Sequence, residues 1–162
     1  MSARGGVVLG LPREAGTYVL MIEVPAACVV DVGRLGRWRF PAGWYLYVGS
    51  ALGGLAGRVG RHLRAEKRLH WHVDHLLPHG WVREVWYRVA GTPEGAGTAS
   101  ECAIAADLTA LPGAERWPPR FGASDCRCGG HLVRLGARRG LGDVPSLGGS
   151  GWAALGTDCG AD

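Results

Sequence analysis

The sequence predicts an α+β domain with the element order β–β–α–α–β–α and a small three-stranded mixed sheet flanked by helices. Two observations predict this fold class. Two apolar segments rich in aromatic and β-branched residues precede an amphipathic segment, and a third strand-like segment precedes the last helix. The chain has 162 residues, of which 47% are apolar, enough for one core. It holds no run of about 18 apolar residues, so we expect no membrane span.

Three segments are predicted as main strands, and a short hairpin is inserted between the first two. Residues 17–24 (TYVLMIEV) and 44–49 (WYLYVG) are aromatic and β-branched, whereas residues 82–89 alternate imperfectly. Residues 28–31 and 38–40 flank turn-type glycines, which predicts the hairpin insertion.

Three helices are predicted. Leu55, Val59 and Leu63 recur at i, i+4 and i+8, which indicates an amphipathic helix that runs to about Leu69. The second and third helices are predicted over residues 70–77 and 100–111.

The chain divides by composition into three parts. Residues 1–15 are a leader without the features of a secretory signal, and residues 16–135 form the domain. Residues 136–162 are rich in glycine and lack hydrophobic periodicity, which predicts a disordered tail. The five cysteines are an odd number in a chain with no secretory signal, so we expect reduced thiols and a cytoplasmic location.

Basic residues are concentrated in residues 34–68. That segment holds eight arginines and lysines against a single acidic residue, Glu66, which is typical of a polyanion-binding face. A coding bias toward arginine is an alternative explanation of the high arginine content, but not of the clustering. The predicted nucleic-acid contacts are Arg61, Arg64, Lys67 and Arg68.

Arg58 and His62 lie at the edge of the apolar stripe of the first helix, where they face the sheet. A charged residue beside a core stripe suggests an active site, although an arginine whose stem packs on the core is an alternative. Arg61, Arg64 and Arg68 are predicted to point away, toward phosphates or solvent.

Tyr18 and Tyr47 lie on adjacent predicted strands and can reach the face that Arg58 approaches. A free phenol has a pKa near 10, so a tyrosine that activates water needs a nearby cation, metal ion or histidine. Two half-buried sheet tyrosines are the structural alternative.

Together these residues resemble the signature of the GIY-YIG nuclease superfamily. The tripeptides Gly16-Thr17-Tyr18 and Tyr47-Val48-Gly49 are followed by Arg58 and Glu101. The strings YVGSA, RVGRHLR, HWHVDHLL, ECAIA and FGASDCRCGGHL resemble one branch of it, sometimes called Uri-type endonucleases. The resemblance covers residues 14–135.

The resemblance implies a divalent-metal-dependent endonuclease that cuts DNA. It implies that a tyrosine acts as, or helps to form, the general base, and that Glu101 is the carboxylate ligand of Mg²⁺ or Mn²⁺. His72 is a candidate proton shuttle or phosphate contact. The implied catalytic set is Tyr18, Tyr47, Arg58, His62, Glu101 and His72.

Glu101 has a second interpretation, and the resemblance has one gap. With Thr98, Glu101 also fits a capping box, in which it bonds back to the helix start. Many family members place an asparagine after the glutamate, whereas this chain contains none. Ser124 and Asp125 are candidate substitutes for it.

Two other patterns suggest zinc. Residues 70–75 spell H-x-H-x-D-H, the string of metallo-β-lactamase-like hydrolases, but a basic helix precedes it and the chain is short for that fold. Cys126, Cys128 and His131 form C-x-C-x-x-H without an evident fourth ligand; a buried turn is the alternative.

A nucleic-acid-binding module with weak catalysis is the remaining functional alternative.

Overall fold

A computed structural model describes residues 10–90, 101–123, 126–138 and 151–156. These residues form eight strands and three α-helices. The helices are α1 (Leu55–Leu63), α2 (His72–Leu76) and α3 (Glu101–Thr109). The strands are β1 (Gly16–Val24), β2 (Cys28–Asp31), β3 (Arg37–Phe40), β4 (Gly43–Ala51), β5 (Trp81–Val89), β6 (Glu115–Arg116), β7 (Leu132–Leu135) and β8 (Ala153–Gly156).

Six strands form one sheet in the order β6-β7-β4-β1-β5-β8, and neighbouring strands are antiparallel. The α+β class and the inserted hairpin, formed by β2 and β3, are confirmed. The three-stranded mixed sheet is wrong. Strands β4 and β5, which the helices connect, do run in the same direction, but β1 lies between them and is antiparallel to both.

The two faces of the sheet are covered by different helices. Alternate residues of β1, such as Leu20 and Ile22, pack with α1 and α2 in one cluster. The intervening residues, such as Val19 and Met21, pack with α3 in the other cluster. Because Tyr18 has the same parity as Leu20, it lies in the first cluster, which also contains Tyr47.

Helix α1 begins at Leu55, and its N-cap residue, Gly54, has no side chain to cap it. The carbonyl oxygens of Pro12 and Glu14 instead accept the backbone N–H groups of Ala56 and Leu55, each at 2.9 Å. The leader thus satisfies donors that the first helical turn leaves unpaired. Its residues 1–9 lie outside the described residues.

Helix α1 ends earlier than predicted, at Leu63 rather than near Leu69. Arg64 has extended backbone angles, and its N–H bonds to the carbonyl of Arg61. The ammonium of Lys67 then donates to the carbonyl oxygens of His62 and Arg64, at 2.6 and 3.0 Å. Lys67 thus caps the C-terminus of α1, where a positive charge is favourable.

The described residues 151–156 of the glycine-rich tail include strand β8, whereas the sequence predicts disorder there. β8 pairs with β5 at the sheet edge, with Trp86 opposite Ala154. The guanidinium of Arg88 lies 4.7 Å from the ring centroid of Trp152, just before β8. Residues 139–150 and 157–162 lie outside the described residues. None of the described helices has the length and apolarity that crossing a bilayer requires.

Candidate active site and metal centre

Tyr18 lies at the centre of the candidate active site, on the central strand β1. Its cross-strand partner on β4 is Gly49. A Cβ atom at Gly49 would overlap the phenol ring of Tyr18, so glycine lets that ring lie across the neighbouring strand. The ring centroid of Tyr47 is 6.4 Å from that of Tyr18. The two tyrosines therefore share one face, as predicted.

The hydroxyl of Tyr18 forms a hydrogen bond with His62 of α1. The phenol oxygen lies 2.7 Å from Nε2. When the phenol carries its proton it donates to Nε2, which assigns the imidazole proton to Nδ1. Only 1% of Tyr18 and 2% of His62 is exposed to solvent. Helical periodicity predicts His62 at the edge of the core, whereas the structure places it inside.

Asp74 of α2 lies on the other side of the imidazole. Its Oδ1 is 3.8 Å from Nδ1 of His62, which is longer than a hydrogen bond. The guanidinium of Arg61 donates to both carboxylate oxygens, each at 3.0 Å. The backbone N–H groups of His70 and Trp71 also donate to Oδ2. In the sequence, Asp74 stands out only as part of the H-x-H-x-D-H string, whereas in the structure it is a fixed anion beside His62.

Burial and nearby charges determine which of the side chains around His62 carry a proton. Burial raises the pKa of Tyr18 and of Tyr47 well above the ordinary value, although Arg58 opposes it. Burial lowers the pKa of His62 despite the nearby Asp74. Burial also opposes the ionisation of Asp74, but hydrogen bonds hold its pKa well below the usual range. Near neutral pH both phenols therefore keep their protons, and the imidazole is uncharged.

The Trp71 ring holds two arginines of α1. The guanidinium carbons of Arg58 and Arg61 lie 4.1 and 4.4 Å from its centroid. Arg58 also donates to the carbonyl of Ser50 at 3.1 Å. Within the described residues no carboxylate forms an ion pair with Arg58. Its charge therefore stays available beside Tyr18.

Two of the four predicted phosphate contacts are used inside the protein. Arg61 turns toward Asp74, which differs from its predicted orientation away from the core, because the buried Asp74 carboxylate of α2 lies on that side of α1. Lys67 closes the end of α1, as described above. Arg64 and Arg68 are exposed, as predicted.

Glu101 is the first residue of α3, and it contacts a histidine. Its Oε2 lies 3.2 Å from Nδ1 of His131. Burial is the main cause of the raised pKa of Tyr18 and of Tyr47, and the negative charge of Glu101 also raises both. Glu101 is therefore near the tyrosines electrostatically but bonded elsewhere. Thr98, Ser124 and Asp125, on which the capping box and the asparagine substitutes depend, lie outside the described residues.

His72 contacts a loop rather than the tyrosine pair. Its Nδ1 accepts the backbone N–H of Gly122 at 2.8 Å, and its ring centroid lies 5.6 Å from that of Phe121. Burial lowers its pKa. Among the described residues, the H-x-H-x-D-H string contributes to no group of metal donors.

A separate cluster of potential metal ligands lies next to Glu101. One donor atom each from Cys102, Cys126, Cys128 and His131 lies within 4.8 Å of all the others. Cys102 of α3 is the fourth donor that the C-x-C-x-x-H pattern lacked. Sequence spacing could not find it, because it precedes Cys126 by 24 residues and reaches the loop only through packing.

The donor types in this cluster suit zinc rather than magnesium. Thiolates and imidazole are typical zinc ligands, whereas Mg²⁺ prefers oxygen. Burial raises the pKa of the Cys102 thiol to about 12, and the neighbouring thiols of Cys128 and Cys126 add to this. A bound cation would reverse that effect, because metal coordination deprotonates thiols.

Comparison with known proteins identifies a family. No curated protein and no solved structure matches the chain. A family match extends over residues 17–145, which include both tyrosines, Arg58, Glu101 and the whole cysteine–histidine cluster. The chain belongs to the family described as Domain of unknown function DUF123.

Proposed function

We propose that the protein is a divalent-metal-dependent endonuclease that hydrolyses phosphodiester bonds in DNA. The observation that carries the proposal is the 2.7 Å contact between Tyr18 and His62, next to Arg58. Phosphodiester hydrolysis needs a group that activates water and positive charge for the phosphoryl oxygens. This site offers side chains for both tasks. The resemblance to GIY-YIG nucleases supports the same activity.

The proton path follows from the hydrogen bond. A water molecule gives its proton to the Tyr18 oxygen while the phenol proton passes to Nε2 of His62. The imidazole becomes positively charged, and the nearby anion Asp74 stabilises that charge. Tyr18 need not ionise beforehand, so its raised pKa is compatible with this role.

Arg58 supplies positive charge, and a divalent ion held by Glu101 would add to it. Glu101 would hold Mg²⁺ or Mn²⁺, since its side chain is 29% exposed and its charge acts on both tyrosines. Asp74 is unsuitable, because it is fully buried and already accepts four hydrogen bonds. Mg²⁺ commonly takes one or two carboxylates and several waters, which Glu101 fits. When bound, the ion would neutralise charge on the phosphate.

DNA is the partner that the exposed basic residues favour. Arg64 and Arg68 follow the end of α1, on the chain segment that leads from Arg58 to Trp71. They would contact phosphates that flank the scissile bond. Arg61 and Lys67 would contribute indirectly, by fixing α1 and the segment after it.

A second candidate is a nucleic-acid-binding module with little catalysis. The burial of the tyrosines favours it, because only 1% of Tyr18 and 6% of Tyr47 is exposed. For cleavage, the surface that covers Tyr18 and Tyr47 must open enough to admit a water molecule and a phosphate group. Both functions would use the exposed basic residues to bind DNA, and they differ in how fast the bound DNA is cleaved.

Metal-supplemented cleavage assays test the proposal. Purified protein with Mg²⁺ or Mn²⁺ is incubated with single-stranded, duplex, branched, flapped and damaged DNA. We expect metal-dependent cleavage of at least one substrate. We also expect Arg58→Ala to lower the rate ~100-fold or more, which is typical of losing one electrostatic contact to the transition state.

A matched control is Arg13→Ala, which removes an exposed arginine outside the basic segment and should keep the wild-type rate. Binding without cleavage of any substrate would favour the binding module. Equal rates for the two variants would remove Arg58 from the active site.

A further inference from the structure

We propose that Cys102, Cys126, Cys128 and His131 bind one zinc ion in a closed tetrahedral site, and that Glu101 orients His131. Three donors lie in residues 126–131, and the fourth lies in the first turn of α3. Four protein ligands leave no open position, which is typical of structural rather than catalytic zinc. The ion would join this loop to α3. The proposal does not depend on nuclease activity.

The distances in the cluster fit tetrahedral zinc. Zn–S and Zn–N bonds of about 2.3 and 2.0 Å place sulfur and nitrogen ligands about 3.5 Å apart. Nε2 of His131 lies 3.4 Å from the sulfur of Cys102 and 3.5 Å from that of Cys126. The sulfur atoms of Cys126 and Cys128 are 3.3 Å apart. A bound ion would separate that pair slightly, since tetrahedral thiolates lie about 3.8 Å apart.

A disulfide does not explain the cluster. The 3.3 Å between the sulfur atoms of Cys126 and Cys128 is much longer than an S–S bond of about 2.05 Å. Cys102, Cys126 and Cys128 are free thiols. Three thiols and a buried imidazole in mutual contact are the arrangement that zinc binding requires.

The orientation of His131 supports the assignment. Its Nε2 faces the thiols, and its Nδ1 faces Oε2 of Glu101 at 3.2 Å. Histidine ligands of zinc commonly donate their second ring N–H to a carboxylate, which fixes the ring and its tautomer. Glu101 is therefore a positioning residue for this site.

The site lies beside Tyr47. The carbonyl of His131 accepts the N–H of Val48 at 3.0 Å. A Cβ atom at Gly122 would lie 3.2 Å from the Tyr47 ring and 3.3 Å from Cβ of His131, so these groups pack closely. Loss of zinc should therefore loosen the pairing of β7 with β4 next to Tyr47.

Zinc content is the first test, on full-length protein purified under reducing conditions. We expect about one zinc ion per chain by elemental analysis, in line with one closed site. Cys102→Ser should lose most of the zinc and melt at a lower temperature. Cys28→Ser is the matched control, since Cys28 is a free thiol on β2 outside the cluster, and it should keep the zinc. Full zinc content in Cys102→Ser would overturn the ligand assignment.

The cobalt spectrum of the wild-type protein gives a second readout that needs no variant. Wild-type protein freed of zinc and loaded with Co²⁺ should show the visible bands of tetrahedral thiolate coordination. Glu101→Gln should keep those bands but bind zinc about 10-fold more weakly in chelator competition. Asp107→Asn, on the exposed side of α3, should bind as the wild type does. A wild-type protein that lacks zinc and gives no tetrahedral cobalt spectrum would contradict the proposal, whatever its cleavage activity.

Discussion

The phenol of Tyr18 donates a hydrogen bond to Nε2 of His62 inside the core, across 2.7 Å between strand β1 and helix α1. The other imidazole nitrogen, Nδ1, has no hydrogen-bond partner within the described residues. A buried polar group without a full set of partners destabilises the fold. Such an arrangement is expected at a functional site, where local stability is lower than an apolar core would give.

The stability of the protein should depend on pH through His62. Burial lowers the folded-state pKa of His62, so the unfolded state binds more protons below an unfolded pKa of about 6.5. The free energy of unfolding should therefore fall as the pH drops through 6.5 toward the lower folded pKa. Urea denaturation at about pH 7.5 and pH 5 should give a smaller difference for His62→Gln than for the wild type.

His72 acts in the same direction and remains in that variant, so part of the pH dependence should persist. His79→Gln removes an exposed histidine and should keep the wild-type pH dependence. An unchanged pH dependence in His62→Gln would mean that His62 titrates normally in the folded protein.

Removing the charge of Asp74 should strongly destabilise the protein. Asp74→Asn loses an acceptor of Arg61 and brings an amide toward backbone N–H donors, at a side chain that is fully buried. Breaking such a pair typically costs about 3 kcal/mol of unfolding free energy. Asp31→Asn breaks the exposed pair with Arg37 and should change the denaturation midpoint very little. Similar midpoints for the two variants would contradict an anchoring role for Asp74.

DNA affinity should fall steeply with salt concentration. Replacing both Arg64 and Arg68 by alanine should reduce the log–log salt slope by about 0.9 per lost phosphate contact on duplex DNA. Affinity should weaken alike for all sequences, since phosphate contacts carry no base information. Arg13→Ala should keep the wild-type slope. Salt-independent binding would contradict a phosphate-contacting surface.

The sequence predicted the elements whose pattern is complete within one segment. β1 and β4 are long apolar strands, and α1 repeats Leu55, Val59 and Leu63. β6, β7 and β8 have two to four residues each, too few to show alternation. β8 is stabilised by pairing with β5, which glycine-rich composition could not indicate.

The sequence predicted the part of the candidate site that lies on α1 and the sheet. It did not predict the contacts that α2 and α3 add. Tyr18, Tyr47 and His62 meet as expected because each lies on a regular element facing the same layer. The predicted orientation of Arg61 was wrong because the periodicity of α1 carries no information about α2, whose buried carboxylate Asp74 pairs with Arg61. Cys102 was missed for the same reason, since it lies on a different element from the other metal donors.

The tail should contribute to stability through Trp152. This ring packs on the second core cluster and lies under the guanidinium of Arg88. Trp152→Ala should lower the free energy of unfolding by about 1–2 kcal/mol from lost burial and cation–π contact. Leu52→Ala, at a side chain that is 87% exposed, should leave it nearly unchanged. Equal stability of both variants would mean that β8 does not dock in solution.

The central claim is that Tyr18 transfers a proton during cleavage of DNA. Its most direct test is the single-turnover cleavage rate at saturating DNA, with Mg²⁺ or Mn²⁺, for Tyr18→Phe against Tyr45→Phe. Tyr45 is also a buried sheet tyrosine, but its hydroxyl donates to the carbonyl of Pro41, away from His62. We predict that Tyr18→Phe slows cleavage ~100-fold or more with DNA affinity unchanged, while Tyr45→Phe cleaves at the wild-type rate. Equal cleavage rates for the two variants would contradict the claim.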